Sequence, residues 1–520
     1  MKGAQALARS DRYGMTCLLL ALVPGLFLWR LAASWLTGAG LFIDEAQYWD
    51  WSRHLAWGYF SKPPVLAALI RVSTALGGDG LAGVRWLLVL LWTLTPLVLW
   101  RLVWEMLRER SPHLSQHDRL LTGAWAAALA SACLVFALIG EVATTDGPLL
   151  FFWSLLMWLF WRAQQAPQQI LRWVLWGGVL ALGILSKYTA VASVGSAVLL
   201  ALWLRDARIW RGLLVAALVC ALLLLPHLWW NHAHDWPTLR HTAELLTAKG
   251  TSDRQPPLSA AALYIVSQLV VVGPVVLVLC GRWLWQKRRM ARSHEASGET
   301  NRGLRLSLPL WASLWAWPLW LVGGAQSLQG KGEMNWPAAA TLGLCVMLAL
   351  WRLGLKRPLH WRGPMTALLL GALVGGVVSL TGDWREHLGM KGQGPRWDLW
   401  SRARGWDAAF EAMVPLVQQN SDAVLVADER AVIAHSAYAW RRDGWRPMAW
   451  MSGDVPSHHY ELLYPFKLQA PEWRGKPILF VASRDDAWSG ELRQAYPKGQ
   501  LLYSHPAPGR AMFLWRLEPR

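Results

Sequence analysis

Apolar runs of about bilayer length recur through the first 382 residues of this chain, and they constrain its fold more than any other feature. A helix needs about 20 predominantly apolar residues to cross a membrane, fewer where neighbouring helices or local thinning compensate. Runs that meet this test lie at about 14–37, 82–104, 120–139, 147–161, 173–185, 188–204, 212–230, 258–281, 307–324, 338–355 and 364–382, which makes eleven candidate crossings. The charges between the runs check that count, because Lys and Arg stay preferentially in cytoplasmic loops. With the N-terminus inside, the cytoplasmic segments carry far more Lys and Arg than the 8 of the external loops, and they include the cluster Lys287, Arg288, Arg289 and Arg292. Merging residues 173–204 into one span would put Arg205, Arg208 and Arg211 outside and reverse every later loop. The first run follows Lys2, Arg9 and Arg12 as a secretory signal would, but it is long and Arg30 interrupts it, which favours a crossing. An odd number of crossings places the C-terminal part outside.

Composition agrees. The chain is 54% hydrophobic and 16% charged, which excludes an ordinary cytosolic enzyme, and its 39 Trp residues suggest a bilayer interface. The net charge of +18 would invite nucleic acid in a soluble protein. Here it belongs to the apolar part: residues 1–382 hold 33 Lys and Arg against 17 acids, residues 383–520 hold 18 against 16, and no nucleic-acid partner is needed. Cys17, Cys133, Cys220, Cys280 and Cys345 all lie in apolar runs, with no disulfide framework or zinc knuckle readable. Two domains follow, a membrane domain over 1–382 and a soluble external domain over 383–520. The second reads as a small α/β domain: an amphipathic stretch Gly405–Gln419, a strand-like run Ala423–Ala427, a helical pattern Arg430–Trp440, a strand-like Pro477–Ala482 and a final apolar pair near Leu501 and Phe513.

Ionisable residues at the external helix ends are the ones to question in such a chain. Four segments stand out: the loop Phe42-Ile43-Asp44-Glu45 through Tyr59-Phe60-Ser61-Lys62-Pro63-Pro64, the turn around Asp146, the turn Ser186-Lys187-Tyr188-Thr189, and Lys331-Gly332-Glu333-Met334-Asn335-Trp336-Pro337. All four face one aqueous compartment in this topology. A carboxylate that accepts a hydroxyl proton and a cation that stabilises a leaving phosphate would suit transfer of a sugar from a lipid phosphate. Plainer readings stand beside that one. Asp44 and Asp146 each suit an N-cap, Lys187 a snorkelling end, and Lys62 a simple loop. Glu45 and Tyr48 share a short helix with Asp44 and are candidates to shape a cavity, as are Glu333 and Asn335. His232, His234, Asp235 and His241 have metal-binding side chains, but their spacing is not that of a structural zinc site, and hydrogen bonding in an interfacial loop is the favoured reading.

The Asp44-Glu45 pair, the Tyr59-to-Pro64 run, Thr145-Asp146-Gly147-Pro148, Ser186-Lys187-Tyr188-Thr189, His234-Asp235-Trp236-Pro237-Thr238 and Asn335-Trp336-Pro337-Ala338 together resemble bacterial members of the protein O-mannosyltransferase superfamily. These are membrane glycosyltransferases of the C-type fold, related to the lipid A aminoarabinose transferase and the galacturonic acid transferases of lipopolysaccharide core. The resemblance spans about residues 40–345. It implies a polytopic α-helical protein of the bacterial inner membrane with its C-terminal domain in the periplasm. It further implies a polyprenyl-phosphate sugar donor, a lipid or glycan acceptor and inverting transfer. By the same resemblance Asp44 is the catalytic carboxylate, Asp146 a second acid, Lys62 the cation near the lipid phosphate and Lys187 a second cation. Ser61 stands where the aminoarabinose transferase has an acid, so a divalent metal stays open and no other cofactor is expected. Protein O-glycosylation and transport of a lipid-linked substrate are the alternatives. A transporter would favour discontinuous helices near the midplane, whereas these acids cluster at one end.

Overall fold

The computed structural model describes residues 14–520 apart from 16, 19–20, 37–38, 248–255, 298–306, 331–333, 356–358, 380–399, 452 and 508–509. The chain forms two compact bodies. One comprises Met1–Ala33, Arg85–His234 and Thr242–Val378, and the other Ser34–Val84, Asp235–His241 and Ser379–Arg520. This division differs from a single cut near residue 382, because the first loop and a short segment after residue 234 pack with the C-terminal part.

The first body is helical, and each apolar run read from the sequence has a helical counterpart in it. Among the described residues, Leu81–Arg110 and Ala207–Ala233 are long and apolar enough to cross a bilayer alone; the other apolar helices are shorter. The run 173–204 is two elements: Ile170–Ser186 ends at Lys187, whose backbone is extended, and Ala192–Leu204 follows a 3-10 turn. The run 258–281 is not one straight crossing. Pro257–Val272 and Pro274–Gln286 meet at 107°. Pro274 disfavours helical geometry in the residue before it, and Gly273 takes φ +80, which a side chain would resist. A Cβ there would also meet the Leu134 backbone nitrogen at 3.1 Å.

Tryptophan does more here than mark an interface. Trp92, Trp153, Trp161, Trp173, Trp176, Trp311 and Trp315 are fully buried. Pairs such as Trp161–Trp311 meet edge to face with ring centres 5.4 Å apart, the geometry that the ring quadrupole favours. Some of these indole N–H groups find partners away from water: Trp161 donates to Glu109 at 2.9 Å and Trp311 to Gln164 at 3.1 Å, while half-buried Trp158 donates to Glu105 at 2.8 Å. Trp229 and Trp285 remain exposed, as the interfacial reading expects.

The second body is built on a six-stranded sheet in the order β3-β2-β1-β4-β6-β5, with β1 Val424–Ala427, β2 Met448–Trp450, β3 Pro465–Phe466, β4 Ile478–Ala482, β5 Lys498–Ala507 and β6 Arg510–Glu518. The first four are parallel; β6 runs antiparallel to β4 and pairs with β5 as a hairpin. All five residues of β4 are buried, which fits a central strand covered on both faces. Strands β1 and β4 are neighbours whose onward connections diverge, so their C-terminal ends flank the crevice where α/β sheets place polar groups. Asp428 stands at that end of β1. Burial pushes its carboxyl up to about 7, with adjacent Glu429 adding repulsion.

The unfolded carboxyl titrates near its ordinary value of 3.8 while the folded one holds its proton to about 7, so stability falls as pH rises through that interval and is level above it. Asp428→Asn, which cannot ionise, is therefore expected to raise the heat-denaturation midpoint of the detergent-purified protein at pH 8 more than at pH 4. An equal difference at both pH values would contradict this.

Candidate active site

In the second body, Asp44 lies on the helix Ile43–Arg53. It is the second helical residue and not a cap: the cap position is Phe42, and the Glu45 carboxylate closes the first turn by accepting from the Phe42 N–H at 3.0 Å. The Asp44 side chain is 57% exposed, and Arg430 donates to its Oδ1 at 2.8 Å. The same guanidinium nitrogen donates to Gln47 Oε1 at 2.7 Å. One helical step of three further, Asp50 is buried and paired with Arg446 at 3.3 Å. Burial raises the Asp50 carboxyl above its ordinary value, and the Arg446 and His54 charges pull it back. Glu45 and Tyr48, the cavity candidates of this helix, are buried: Glu45 at the helix start, Tyr48 against Trp51 with ring centres 5.3 Å apart.

Lys62 closes a loop that the sequence shapes tightly. The Tyr59 ring stacks flat on Trp51 at 4.4 Å, its hydroxyl donates to the Trp51 carbonyl, and its N–H donates to the Lys62 carbonyl at 3.2 Å. Thr238 donates to the Tyr59 carbonyl at 2.6 Å, and the Phe60 N–H reaches His459 Nδ1 at 3.5 Å. Prolines 63 and 64 then open the helix Val65–Gly77. The half-buried Lys62 thus sits on a backbone held from four directions, on the same body as Asp44. Trp49 and Trp51 are buried in this packing.

In the first body, Asp146 opens the helix Asp146–Gln165, and its carboxylate makes no cap there. Lys187 Nζ donates to one oxygen at 2.7 Å and Asn335 Nδ2 to the other at 3.1 Å. The group is enclosed, with the Asp146 side chain 3% and the Lys187 side chain 13% exposed. Three residues distant in sequence and each a candidate therefore converge. Glu333, the fourth candidate of that region, lies outside the described residues. Near Asp235 the chain puts His234 on Trp230, ring on ring at 4.3 Å, and His241 beside Phe60. Among the described residues no three His, Cys, Asp or Glu side chains gather to hold a metal.

Arg430, Gln47, Asp50, Arg446 and His459 were not among the sequence candidates. Gln47 and Asp50 continue the three-residue step from Asp44, a signal that was present. The pairing of Arg430 with a residue 386 positions away was not.

Residues 61–230 match the family described as dolichyl-phosphate-mannose-protein mannosyltransferase. Over 444 residues, covering 85% of this chain and 86% of the relative, the chain is 28% identical to the lipid A galacturonosyltransferase RgtD of Rhizobium johnstonii. The fold matches that of ArnT from Cupriavidus metallidurans, with TM-score 0.63 for the structure bound to undecaprenyl phosphate and 0.60 for the apo state; identity is 15%, covering 96% of this chain and 98% of that one. By these likenesses the chain is a glycosyltransferase, and its fold is that of ArnT. The resemblance carried by the short motifs thus holds over most of its length.

In this glycosyltransferase the Asp146–Lys187–Asn335 group carries a stability prediction of its own. Asp146→Ala leaves the Lys187 ammonium enclosed without its partner, which is expected to cost about 3–5 kcal/mol. Replacing the pair with apolar residues, Asp146→Leu with Lys187→Met, should recover most of that loss. Heat-denaturation midpoints in detergent would decide; a double variant no more stable than Asp146→Ala counts against the pair as a mainly electrostatic tie.

Proposed function

We propose that this glycosyltransferase moves one sugar from a polyprenyl-phosphate donor to lipid A or a neighbouring envelope glycan, with inversion, on the periplasmic side of the bacterial inner membrane. The observation that carries the reading is the contrast between Asp44 and the other acids near it. Glu45 and Asp50 are buried and committed to structure, whereas Asp44 is exposed and its Oδ2 has no partner among the described residues. A general base has to reach the proton it takes. Asp44 accepts the proton of an acceptor hydroxyl, whose oxygen attacks the anomeric carbon from the face opposite the phosphate. The bond between the anomeric carbon and the phosphate oxygen breaks, and its electron pair leaves on the polyprenyl phosphate. Lys62, on the same body, supplies the cation that stabilises the phosphate. Lys187 already neutralises Asp146, so that pair is assigned to holding the helical body, with an orienting role for Asp146 secondary. No step requires a cofactor.

Lipid A is preferred as acceptor because the relative named for it spans 85% of this chain. A protein acceptor rests on the family match over residues 61–230 alone. The same relative makes a uronic acid the first sugar to test. The excess of Lys and Arg in alternate loops supports eleven crossings, a cytoplasmic N-terminus and a periplasmic α/β body.

Asp44→Asn should leave membrane insertion intact and abolish sugar transfer in vesicles supplied with lipid-linked donor; near-normal transfer would sink the assignment. Lys62→Ala should raise the KM for the lipid donor, and a defect confined to the acceptor would count against its role. Mass spectrometry of envelope glycolipids from cells with and without the protein would identify the transferred unit by one missing sugar mass.

A further inference from the structure

We propose that Arg430 is a positioning residue for the base: it holds one oxygen of Asp44 so that the other is turned to the acceptor hydroxyl. This deepens the reading above and rests on Asp44 being the base. An isolated ion pair between side chains as exposed as these, 38% and 57%, contributes little. Three features of the structure change that balance.

The first is where Arg430 starts from. It opens the helix Arg430–Ala439, whose residues Val432–Tyr438 are all buried, directly after β1 at the C-terminal edge of the parallel strands. Its backbone is therefore held by the core of the α/β body. The second is the shared acceptor. Nη1 bonds both Asp44 Oδ1 at 2.8 Å and Gln47 Oε1 at 2.7 Å, and Gln47 is 1% exposed. One nitrogen thus bridges a buried side chain and an exposed one, and less rotamer freedom remains to be lost than in a surface pair. The third is the relation between the two helices. Trp49 meets Tyr438 edge to face at 5.2 Å, the Tyr438 hydroxyl donates to the Asp79 carbonyl at 3.1 Å, and Asp79 pairs with Arg53 at 3.0 Å. The helix carrying the base and the helix carrying Arg430 are locked side by side.

The consequence is chemical. A carboxylate on an exposed helix turn presents either oxygen and rotates between them. With Oδ1 engaged by Arg430, Oδ2 is left with a defined direction. A guanidinium gives up no proton at physiological pH and has no acceptor site. It therefore neither competes for the acceptor proton nor removes it after transfer, and the proton stays on Oδ2 until product leaves. A displacement of about 1 Å in such a group costs on the order of 100-fold in rate.

The test uses the full-length protein in vesicles with lipid-linked donor and lipid A, with turnover read by mass spectrometry of the product. Arg430→Ala should lower kcat about 10- to 100-fold while the donor KM moves less than about two-fold, as expected when an interaction acts in the transition state. Millimolar ethylguanidinium should restore part of that kcat in Arg430→Ala and none in Asp44→Asn. Wild-type kcat in Arg430→Ala, with Asp44→Asn inactive, overturns this inference and leaves the base assignment standing. A loss in Arg430→Ala that ethylguanidinium does not relieve, at an unchanged denaturation midpoint, also overturns it. Transfer by Asp44→Asn at the wild-type rate removes the base assignment itself. Where Arg430→Ala does not fold, Arg430→Gln carries the same readings.

Discussion

The ion pair between buried Asp50 and half-buried Arg446 is the interaction on which the candidate site depends. Two charges taken from water are costly, and the pair returns that cost only with good geometry and further partners. Arg446 has such support, because its guanidinium lies 3.6 Å from the centre of the Tyr464 ring, a favourable place for a cation. Burial dominates at Asp50, whose carboxyl is raised despite the cation beside it. Such a pair adds little net stability but strongly disfavours any arrangement that separates its members. Asp44, Gln47 and Asp50 follow one another at steps of three, and residues so spaced share a helix face. Fixing Asp50 against Arg446 therefore fixes which way Asp44 points. A rotation of that helix by one residue, about 100°, would strand Asp50 and carry Asp44 away from Arg430 together.

Much of the architecture was legible because it rests on local pattern. The amphipathic stretch Gly405–Gln419 is the helix Trp406–Gln419, the run Ala423–Ala427 is β1, and the apolar pair near Leu501 and Phe513 is the β5–β6 hairpin. Strands β2 and β3, of three and two residues, are too short to leave a periodic signal. The break at Gly273 was readable from Gly-Pro, but an apolar run on both sides conceals it when hydropathy alone is followed. Tryptophan count pointed to the interface and understated the core, because composition cannot say whether an indole N–H meets water or a carboxylate such as that of Glu109. The site divides in the same way. Asp44 and Asp146 stood out by type and neighbours, and the placement of Asp146, Lys187 and Asn335 at one face was legible, whereas their contact is a property of the tertiary fold. The partners that decide what Asp44 can do come from residues 430 and 446, whose proximity to residues 44 and 50 is a property of the tertiary fold.

Two aspartates of similar sequence setting end up with different chemistry. Both stand near the start of a helix, and both were plausible N-caps. Asp146 has each oxygen engaged, one by Lys187 and one by Asn335, and its side chain is 3% exposed. A carboxylate so saturated is well suited to tying segments together and poorly suited to meeting a mobile hydroxyl. Asp44 has one oxygen engaged and more than half its surface open. Environment, and not residue type, separates the enclosed acid from the open one.

The C-terminal region supplies contacts of the same kind. Arg430 holds Asp44, Arg446 neutralises Asp50, and His459 accepts from the Phe60 N–H in the loop that carries Lys62. The loop between residues 40 and 64 has few partners of its own kind: its helix is short, and its charged face would be exposed without these contacts. Isolated helices of about that length are marginal in water. The helix Ile43–Arg53 has 11 residues and is held by the helix Arg430–Ala439 and by Arg446, several hundred residues later in the chain. The α/β body is therefore part of what orients Asp44 and the loop that carries Lys62, and a chain ending before β1 would keep both residues while losing what aims them.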